Sequence, residues 1–354
     1  MSRVIRQVGG AVCRAGRMRR LALLLLCVPW LPLAQAQVQT QPARSSAPAA
    51  GDEALQWLQR AQQAVGQRSY QGTLTFSAGG VVSSSRVLHV CEGRQRVERI
   101  EVLDGKPRLQ YRHNEQTLTV WPGSKLAVAE QDDPVSEFPA LPRGGGQRVL
   151  EQYELRALGE ERVAGHDAQV LLLKPRDELR FAQRLWAERE TGLLLRADLM
   201  GRNGEVLEST AFTDLRIGGR LAATADSILA AMRKLEGYRV VNASAVRTEP
   251  EAEGWRLGRQ IPGFQLVACT RRPLDAADRE SKAPVLQAVF SDGLAQVSVF
   301  IEAYDAQRHK QAMRTQLGAT QTLTSRRGDW WVTVVGEVPL ATAQQFETLF
   351  ERRR

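Results

Sequence analysis

Apolar and polar side chains alternate with period two over much of the chain between residues 70 and 217, which is typical of β-strands. The clearest stretch covers residues 184–218, where three apolar-rich runs are separated by turns at 190–192 and 201–204. In the third run one face of the strand carries Leu207, Ala211, Leu215 and Ile217, and the other carries Val206 and Phe212. Because neither face is fully polar, we expect this part of the sheet to be covered on both sides.

Further strands are predicted around this stretch, each bounded by turn residues. They cover residues 70–77, 86–91, 96–102, 108–112, 117–121, 126–129, 153–158 and 169–173. An amphipathic helix is predicted at Asp52–Val65, and a long loop with three prolines at residues 131–148. Consecutive strands at hairpin spacing indicate one large antiparallel sheet, which must curl to protect its edges. The helix and the loop would cover the concave face of that sheet and leave an apolar groove.

The last hundred residues predict a second, smaller unit. Its expected strands are residues 264–269, 285–290, 295–302, 320–325 and 330–335, and Asp292-Gly293 is expected to form the turn of the hairpin between 285–290 and 295–302. A final helix is expected to begin at the N-cap Thr342, with Gln345 completing a capping box and Arg352 near its C-terminal end. Residues 219–254 are predicted to form a linker that contains a helix at 225–235. The predicted fold class is therefore α+β, with a large curled N-terminal sheet over 52–218 and a smaller α+β domain over 255–354.

The N-terminal segment has the features of an export signal. Six arginines precede the apolar run Leu21–Ala34, and Ala34-Gln35-Ala36 is a small-x-small cleavage site, so we expect residues 1–36 to be removed. Residues 37–51 are mostly Gln, Pro, Ala and Ser, which predicts a disordered leader. Without its first 36 residues the chain has 42 basic and 39 acidic residues, a formal charge of +3. This balance gives no indication of a nucleic-acid partner.

The sequence carries few features typical of a catalytic site. Cys91 and Cys269 lie in different predicted units, so we expect two buried thiols rather than a disulfide. The four histidines (His89, His113, His166 and His309) lack metal-ligand spacing. His89 lies among apolar strand residues, which favours a satisfied histidine of the sheet. The sequence contains no zinc-protease, nucleophile-elbow, phosphate-loop or dinucleotide motif. We therefore expect no enzyme activity, no cofactor and no metal.

Four stretches, in order along the chain, carry a resemblance to a known family. They are ERVAGHDAQVLLLKPRDELRF (161–181), RLWAERETGLLLRADLM with GEVLESTAFTDLRIG (184–218), PVLQAVFSDGLAQVSVFIE (284–302) and DWWVTVVGEVPLATAQQ (329–345). From about residue 52 to its C-terminus the chain resembles the MucB/RseB family, periplasmic regulators of the sigma-E envelope stress response. The resemblance implies a periplasmic protein. It also implies that the N-terminal unit is similar to the carriers LolA and LolB, an unclosed antiparallel barrel with helices over its mouth.

The resemblance also implies two binding surfaces. The groove of the N-terminal unit would take lipopolysaccharide or another acyl-bearing ligand, and the residues expected to line it are Leu74, Phe76, Trp121, Phe138 and Trp186. The C-terminal unit would contact the periplasmic segment of a membrane anti-sigma factor of the RseA/MucA type and shield it from site-1 proteolysis. Its candidate contact residues are Phe290, Phe300, Trp330 and Trp331. Alternation puts the two adjacent tryptophans on opposite faces of their strand, so we expect at most one of them in the core.

Three alternatives stay open at this point. A periplasmic lipid or lipoprotein carrier would also use such a groove, although a carrier of the LolA type needs only the first domain. Each groove candidate is also compatible with an ordinary buried position, since apolar strand residues are usually buried. The sequence does not determine whether the chain associates with a second copy of itself.

Overall fold

The computed structural model describes residues 50–93, 95–131, 146–243, 245–272 and 284–353. The predicted export signal, residues 37–49 of the predicted leader, most of the predicted loop at 131–148 and Phe138 lie outside these ranges. The last two leader residues, Ala50 and Gly51, begin the first helix.

The first sheet has twelve strands, which are consecutive in the sequence. The strands are β1 (Tyr70–Ala78), β2 (Val81–Glu92), β3 (Gln95–Val102), β4 (Leu109–His113), β5 (Gln116–Trp121), β6 (Leu126–Gln131), β7 (Tyr153–Val163), β8 (His166–Pro175), β9 (Ala182–Glu188), β10 (Leu194–Met200), β11 (Val206–Ile217) and β12 (Arg239–Asn242). Their order across the sheet is β12-β6-β5-β4-β3-β2-β1-β11-β10-β9-β8-β7. All pairs are antiparallel except β12 with β6.

The remaining strands form a seven-stranded sheet and a two-stranded sheet. They are β13 (Val246–Arg247), β14 (Trp255–Leu257), β15 (Gln265–Arg272), β16 (Val285–Ser291), β17 (Gln296–Ala303), β18 (Met313–Leu317), β19 (Thr320–Arg327), β20 (Trp330–Gly336) and β21 (Phe350–Arg352). The larger sheet has the order β13-β15-β16-β17-β20-β19-β18, and β14 pairs with β21.

Four α-helices accompany these sheets in the described part of the chain. They are α1 (Ala50–Gln67), α2 (Gly146–Gln152), α3 (Ala225–Arg233) and α4 (Leu340–Glu347). With so few helical residues beside 21 strands, the described chain is mostly β, and the predicted α+β class is corrected to that extent. The prediction missed helix α2, whose first residues it placed in the loop 131–148, and the short strands β13, β14, β18 and β21. Strands β13, β14 and β21 are only two or three residues long, and every residue of β18 is exposed, so none carries a clear buried face.

The predicted linker 219–254 is built into both sheets. Helix α3 begins at the N-cap Thr224, whose hydroxyl accepts the N–H of Ser227 while Ser227 bonds back to Thr224 in a capping box. Its residues Ala225, Ile228 and Leu229 pack in one cluster with Leu88, Val90 and Val97 of the first sheet. Strand β12 then joins the first sheet and β13 joins the second. The segment therefore couples the two sheets rather than separating them.

The first sheet is strongly curled. Strands β8 and β11 are separated by β9 and β10, so a flat sheet with a strand spacing of about 4.8 Å would hold them about 14 Å apart. Yet Nε2 of His166 in β8 lies 3.1 Å from the backbone oxygen of Leu215 in β11. Large sheets curl in this way to protect their edges, as the sequence predicts. The particular likeness to LolA and LolB remains a prediction.

A β-bulge in β11 changes the faces predicted for that strand. Thr73 pairs with Asp214 and Leu74 pairs with Phe212, so Thr213 is the extra residue. As a result Phe212 and Leu215 belong to the same buried cluster, although unbroken alternation places them on opposite faces. Apolar residues at both odd- and even-numbered positions of β11 can therefore lie on one face, and they do not by themselves require cover on both sides of the sheet.

Helix α1 covers part of the first sheet, as its apolar stripe predicts. Trp57, Leu58 and Ala61 pack with Leu171 of β8 and Leu185 of β9, and the cluster extends to α2 and β7. The second sheet has its own core, which lies between the sheet and α4. Phe346 of α4 is fully buried there against Phe264 and Phe290, with ring centroids 5.3 and 5.2 Å apart.

The prediction for the last helix was wrong at both ends. The helix begins after Pro339, so Thr342 lies inside it and is buried instead of capping it. The helix ends at Glu347, and Phe350 and Arg352 belong to β21, which pairs with Trp255–Leu257. At the C-terminal end, the predicted continuation of the helix was outweighed by this pairing with a strand about 95 residues earlier in the chain, which no local pattern reveals.

Candidate functional site

Three of the predicted groove residues lie on one face of the first sheet. Strands β1 to β6 pair without a register shift, so alternation can be followed from strand to strand. Leu74, Phe76 and Trp121 all lie on the face opposite α3, and all three are half-buried. Leu74 packs against the cluster around Tyr70 and Phe212, whereas Trp121 packs against Leu126 and Val128 four strands away. These residues supply partly exposed apolar surface on this face of the sheet.

Trp186 is a buried member of the same cluster against which Leu74 packs, so it lies beneath this surface rather than on it. Its side chain is 1% exposed and belongs to a buried cluster with Val170 and Leu195. Its indole N–H donates to Glu161 at 2.9 Å, and the Arg196 guanidinium lies 4.5 Å from its ring centre. The polar end of the indole is therefore satisfied within the protein, and the ring is part of the core.

The four predicted contact residues of the C-terminal unit divide between the two faces of the second sheet. Phe290 is 3% exposed and lies in the core, and Trp330 packs against that core with its ring centre 5.2 Å from that of Trp255. Both side chains therefore pack mainly in the interior of this domain.

Phe300 and Trp331 lie on the opposite face of the second sheet. Phe300 pairs with Thr333, and Trp331 pairs with Glu302, so the two aromatic side chains are diagonal neighbours. Trp331 is covered by His309, which stacks on it at 4.8 Å. Phe300 stays half-buried, with half-buried Thr333 opposite it on β20 and half-buried Thr324 one strand further away on β19. The expectation that the tryptophan pair straddles the sheet is confirmed, and Phe300 is the candidate that this face leaves partly accessible.

A buried polar cluster joins the two sheets. Asp292 lies in the turn between β16 and β17, where its carboxylate accepts the N–H groups of Leu294 and Ala295, each at 2.8 Å. The same carboxylate accepts the Tyr153 hydroxyl at 3.1 Å and lies 3.1 Å from Nη1 of Arg180. The side chains of Arg180 and Asp292 have no exposed surface. A turn of the second domain is thus inserted against the first.

The electrostatics of this cluster depend on its burial. Burial raises the pKa of Asp292, and the backbone N–H groups of Leu294 and Ala295 together with Arg180 offset part of that rise. Arg180 also donates to Gln152 at 3.0 Å and to the Pro262 carbonyl at 2.7 Å. The sequence assigned Asp292 its turn role, which the structure confirms. It gave no signal for Arg180, because the pair joins residues more than a hundred positions apart.

A second contact between the domains lies at the tip of the β18–β19 hairpin. The carboxylate of Glu208 in β11 accepts the N–H groups of Ala319 and Thr320 at 3.0 and 3.1 Å. Beside it lies a cleft of about 510 Å³, lined by residues from both domains including Ser77, Gly79, Leu207, Gln316 and Gly318. This cleft borders the end of β1 rather than the surface around Leu74 and Trp121.

The described residues offer little for metal binding. Within the ranges that the structure covers, no group of three or more His, Cys, Asp or Glu side chains is arranged to hold a metal ion. No helix in those ranges is both long enough and apolar enough to cross a membrane. Both described cysteines are free, as predicted, but only Cys269 is buried, whereas Cys91 is half-buried.

Sequence comparison finds the same two-domain organisation in characterised proteins. Residues 53–232 match the family model described as MucB/RseB N-terminal domain, and residues 249–350 match the MucB/RseB C-terminal domain. The chain is 35% identical over 300 residues to the sigma factor AlgU regulatory protein MucB of Pseudomonas aeruginosa. This match covers 83% of this chain and 89% of that protein. It is 25% identical over 304 residues to the sigma-E factor regulatory protein RseB of Escherichia coli K12, and this match covers 86% of this chain and 91% of that protein.

Solved structures agree with this similarity. The crystal structure of MucB in complex with MucA(peri) matches with a TM-score of 0.63 and 30% identity, over 85% of this chain and 99% of that chain. The structure of MucB alone matches with a TM-score of 0.61 and 28% identity, over 85% and 98%. The similarity therefore extends over both domains.

Proposed function

This chain belongs to the MucB/RseB family, whose members are non-enzymatic regulatory proteins, and on that premise we propose that it controls a sigma factor of the sigma-E type. It does so in the periplasm, by binding the periplasmic segment of a membrane anti-sigma factor of the MucA type. While bound, the segment is shielded from site-1 proteolysis. An acyl-bearing ligand such as lipopolysaccharide, bound to the N-terminal domain, releases the segment for cleavage.

One observation carries the partner assignment. The chain is similar over 85% of its length to a MucB protein whose structure contains MucA(peri), and both domains take part in the match. A binding function also agrees with the chemistry of the described residues, which include no metal-binding group.

The surface around Phe300 supports a role for the second domain in partner binding. An aromatic side chain that stays half-buried beside threonines can supply an anchor and nearby hydrogen bonds to a peptide segment. Phe290 and Trp330, which pack in or against the core, would act on the partner only by holding the sheet in shape.

The apolar face that carries Leu74, Phe76 and Trp121 supports a role for the first domain in ligand binding. Its half-buried apolar side chains could contact acyl chains without the loss of buried hydrogen bonds. If ligand and anti-sigma segment favour different states of the protein, each weakens the binding of the other by the same factor. Release by lipid is then a consequence of linkage and needs no direct overlap of the two sites.

The test measures protection of the anti-sigma segment. The purified protein is mixed with the segment and the site-1 protease, and lipopolysaccharide is titrated in. We expect tight binding and slow cleavage without lipid, and rapid cleavage once lipid is added. Phe300→Asp is expected to weaken segment binding at least about tenfold, because a charge replaces an aromatic anchor. Leu340→Asp is the matched control, since Leu340 is 42% exposed on α4, on the other side of the second sheet.

A second set of variants tests the ligand site of the first domain. Phe76→Asp is expected to retain segment binding but to lose release by lipid, whereas Val82→Asp, at a 61% exposed position on the opposite face, is expected to behave as wild type. Circular dichroism verifies that the sheets are intact. Absence of both binding and protection would contradict the regulator and favour a lipid carrier, which co-purifying stoichiometric lipid would then support.

A further inference from the structure

A cysteine, a histidine and a glutamate of the first sheet are aligned in a way that the regulatory function does not explain. His89 and Cys91 are two residues apart in β2, so their side chains share a face, and Glu98 of β3 pairs directly with His89. Nε2 of His89 lies 3.2 Å from the Cys91 sulfur, and Nδ1 lies 3.4 Å from a carboxylate oxygen of Glu98. We name these three residues the thiol cluster.

The imidazole of the thiol cluster is held firmly in place. The ring of His89 stacks on that of Tyr70, with centroids 4.9 Å apart and planes 12° from parallel. The second carboxylate oxygen of Glu98 lies 3.4 Å from Nη1 of Arg112, the neighbour of Glu98 on β4. Carboxylate, imidazole and thiol therefore form a chain of contacts in which a fixed ring lies beside the sulfur.

This order of groups is the one that activates cysteine nucleophiles. The thiolate is the reactive form of cysteine, and a neighbouring imidazolium stabilises it. Burial lowers the pKa of His89, but its contacts with Cys91 and Glu98 prevail and raise the pKa to about 9. The ring is therefore a cation at neutral pH, with its Nε2–H directed at the sulfur.

One neighbour of the sulfur acts in the opposite sense. The Cys91 thiol donates to the backbone oxygen of Gly66 at 3.4 Å, and this carbonyl lies at the negative end of α1. That end of a helix carries a partial charge of about half an elementary unit, whereas the imidazolium carries a full charge and lies closer. Of the two neighbours, the imidazolium therefore exerts the stronger electrostatic influence on the sulfur.

We propose that Cys91 is a modification site, a nucleophilic thiol that exchanges with low-molecular-weight disulfides. The thiol proton passes to solvent, the imidazolium of His89 stabilises the thiolate that remains, and this thiolate attacks one sulfur of the disulfide. A Cys91–sulfur bond forms, the bond of the reagent breaks, and the departing thiolate takes up a proton, so the products are a mixed disulfide and one free thiol. The half-buried position of Cys91 leaves it open to a small reagent.

The adduct has a defined structural consequence. A group attached to the Cys91 sulfur removes its hydrogen bond to Gly66, which lies in the last turn of α1. Ser69, just after the helix, bonds to both the N–H and the carbonyl of Cys91, so this strand position also anchors the link from α1 to β1. Modification is therefore expected to loosen the end of the helix that covers the first sheet.

The second described cysteine is an internal control. Cys269 is buried in the core of the second domain, and burial, together with Glu249, Glu253 and Glu251, raises its pKa to about 12. Its sulfur is expected to stay protonated and inaccessible. A reagent that distinguishes the two thiols thus reports on their surroundings within one molecule.

The experiment treats the full chain with oxidised glutathione at pH 7 and measures the adduct at each cysteine by peptide mass mapping. We expect Cys91 to react at least about tenfold faster than Cys269, and faster in the folded chain than at the same cysteine in urea. His89→Ala is expected to slow Cys91 about tenfold, and Glu98→Gln to slow it less. Arg86→Ala, on the same strand in an ion pair whose arginine is 62% exposed, is the control expected to leave the rate unchanged.

Two results would overturn the proposal. One is a reaction of Cys91 that is no faster in the folded chain than in urea. The other is an unchanged rate in Glu98→Gln and in a His89→Ala protein that circular dichroism shows to be folded. If His89→Ala does not fold, the proposal is still tested by the rate of Cys91 in the folded chain against its rate in urea, and by the rate in Glu98→Gln. Hydrogen exchange at the last turn of α1 then tests whether the adduct loosens this end of the helix. The adduct should increase the exchange rate there, and an unchanged rate would contradict the loosening.

Discussion

His89 has a polar contact at each of its ring nitrogens although the residue is only 8% exposed. Glu98 contacts one nitrogen and Cys91 the other, while Tyr70 covers the face of the ring. Burial alone would favour the neutral ring, so the raised pKa of His89 measures how strongly these partners hold the cation. The expectation of a satisfied histidine within the sheet is therefore met, by a charged pair rather than by neutral packing.

This arrangement predicts a pH-dependent contribution of His89 to stability. Its pKa rises from 6.5 to about 9 on folding, so the stabilisation is fully present below about pH 6.5 and disappears as the pH rises through 9. The shift corresponds to about 3 kcal/mol. His89→Gln should therefore lower the free energy of unfolding much more at pH 6 than at pH 9.5, as measured by urea denaturation. Glu98→Gln should reduce this difference, and an equal loss at both pH values would contradict the assignment.

The hairpin of β18 and β19 shows how one short element fixes a contact between domains. Its turn residue Gly318 has a φ of +58°, and a Cβ there would lie 2.5 Å from Cγ of Glu208 and 2.7 Å from the Leu207 oxygen. The turn therefore needs glycine for its backbone conformation and also for its close approach to β11. Gly204, in the turn before β11, has a φ of +83° with nothing within 4 Å of its Cβ position.

These two glycines provide a matched pair of substitutions. Gly204→Ala is expected to cost about 1 kcal/mol, because only the left-handed backbone is penalised. Gly318→Ala carries the same penalty and also pushes the hairpin away from Glu208, so we expect a total of about 3 kcal/mol. Thermal unfolding of both variants measures the difference. Equal losses would show that the hairpin tip does not depend on close contact with the first domain.

The two sheets are expected to unfold as one unit because buried groups of the first domain have their packing and ion-pair partners in the second. Leu294 from the second domain packs in the cluster beneath α1. Arg180 and Asp292 neutralise each other between the domains, and the ring of Phe264 lies 5.0 Å from the Arg180 guanidinium. Separation of the domains would expose the apolar surface and leave both charges without their partners. We therefore expect a single cooperative unfolding transition for the whole protein.

Loss of Arg180 tests this coupling. Arg180→Met leaves the Asp292 carboxylate buried without its cation, which is expected to reduce stability by about 3–5 kcal/mol and to split unfolding into two transitions in calorimetry. Arg202→Met removes an ion pair to Glu178 in which the two side chains are 60% and 82% exposed, and should change stability by less than about 1 kcal/mol. A single unshifted transition in Arg180→Met would show that the pair does not join the domains.

Much of the local structure could be predicted from the sequence because strands and turns depend on neighbouring residues. Alternation identified most strands of both sheets, and the Asp292-Gly293 turn was placed correctly. The failures arose where a distant segment intervened. Thr342 has the local features of a cap, but the helix begins after Pro339. Phe350 and Arg352, which were expected to extend that helix, instead pair with Trp255–Leu257.

The candidate sites show the same limit. Aromatic and apolar residue types indicated Leu74, Phe76, Trp121 and Phe300, which are half-buried, but equally Trp186 and Phe290, which are core residues. Residue type cannot distinguish these two groups, because exposure depends on what packs over each strand. The bulge at Thr213 adds to this by shifting the alternation of β11.

By itself, then, the sequence determined most of the strands, the presence of helices α1, α3 and α4, and the family, since these follow from local patterns and from motifs in order. The tertiary structure alone decided which groups meet across strands and domains. His89 is joined to Glu98 and Cys91, Arg180 to Asp292, and Glu208 to the hairpin tip only after register and curl bring them together. The physical reason is that hydrogen bonds and ion pairs act over a few ångströms in space, whatever the distance along the chain.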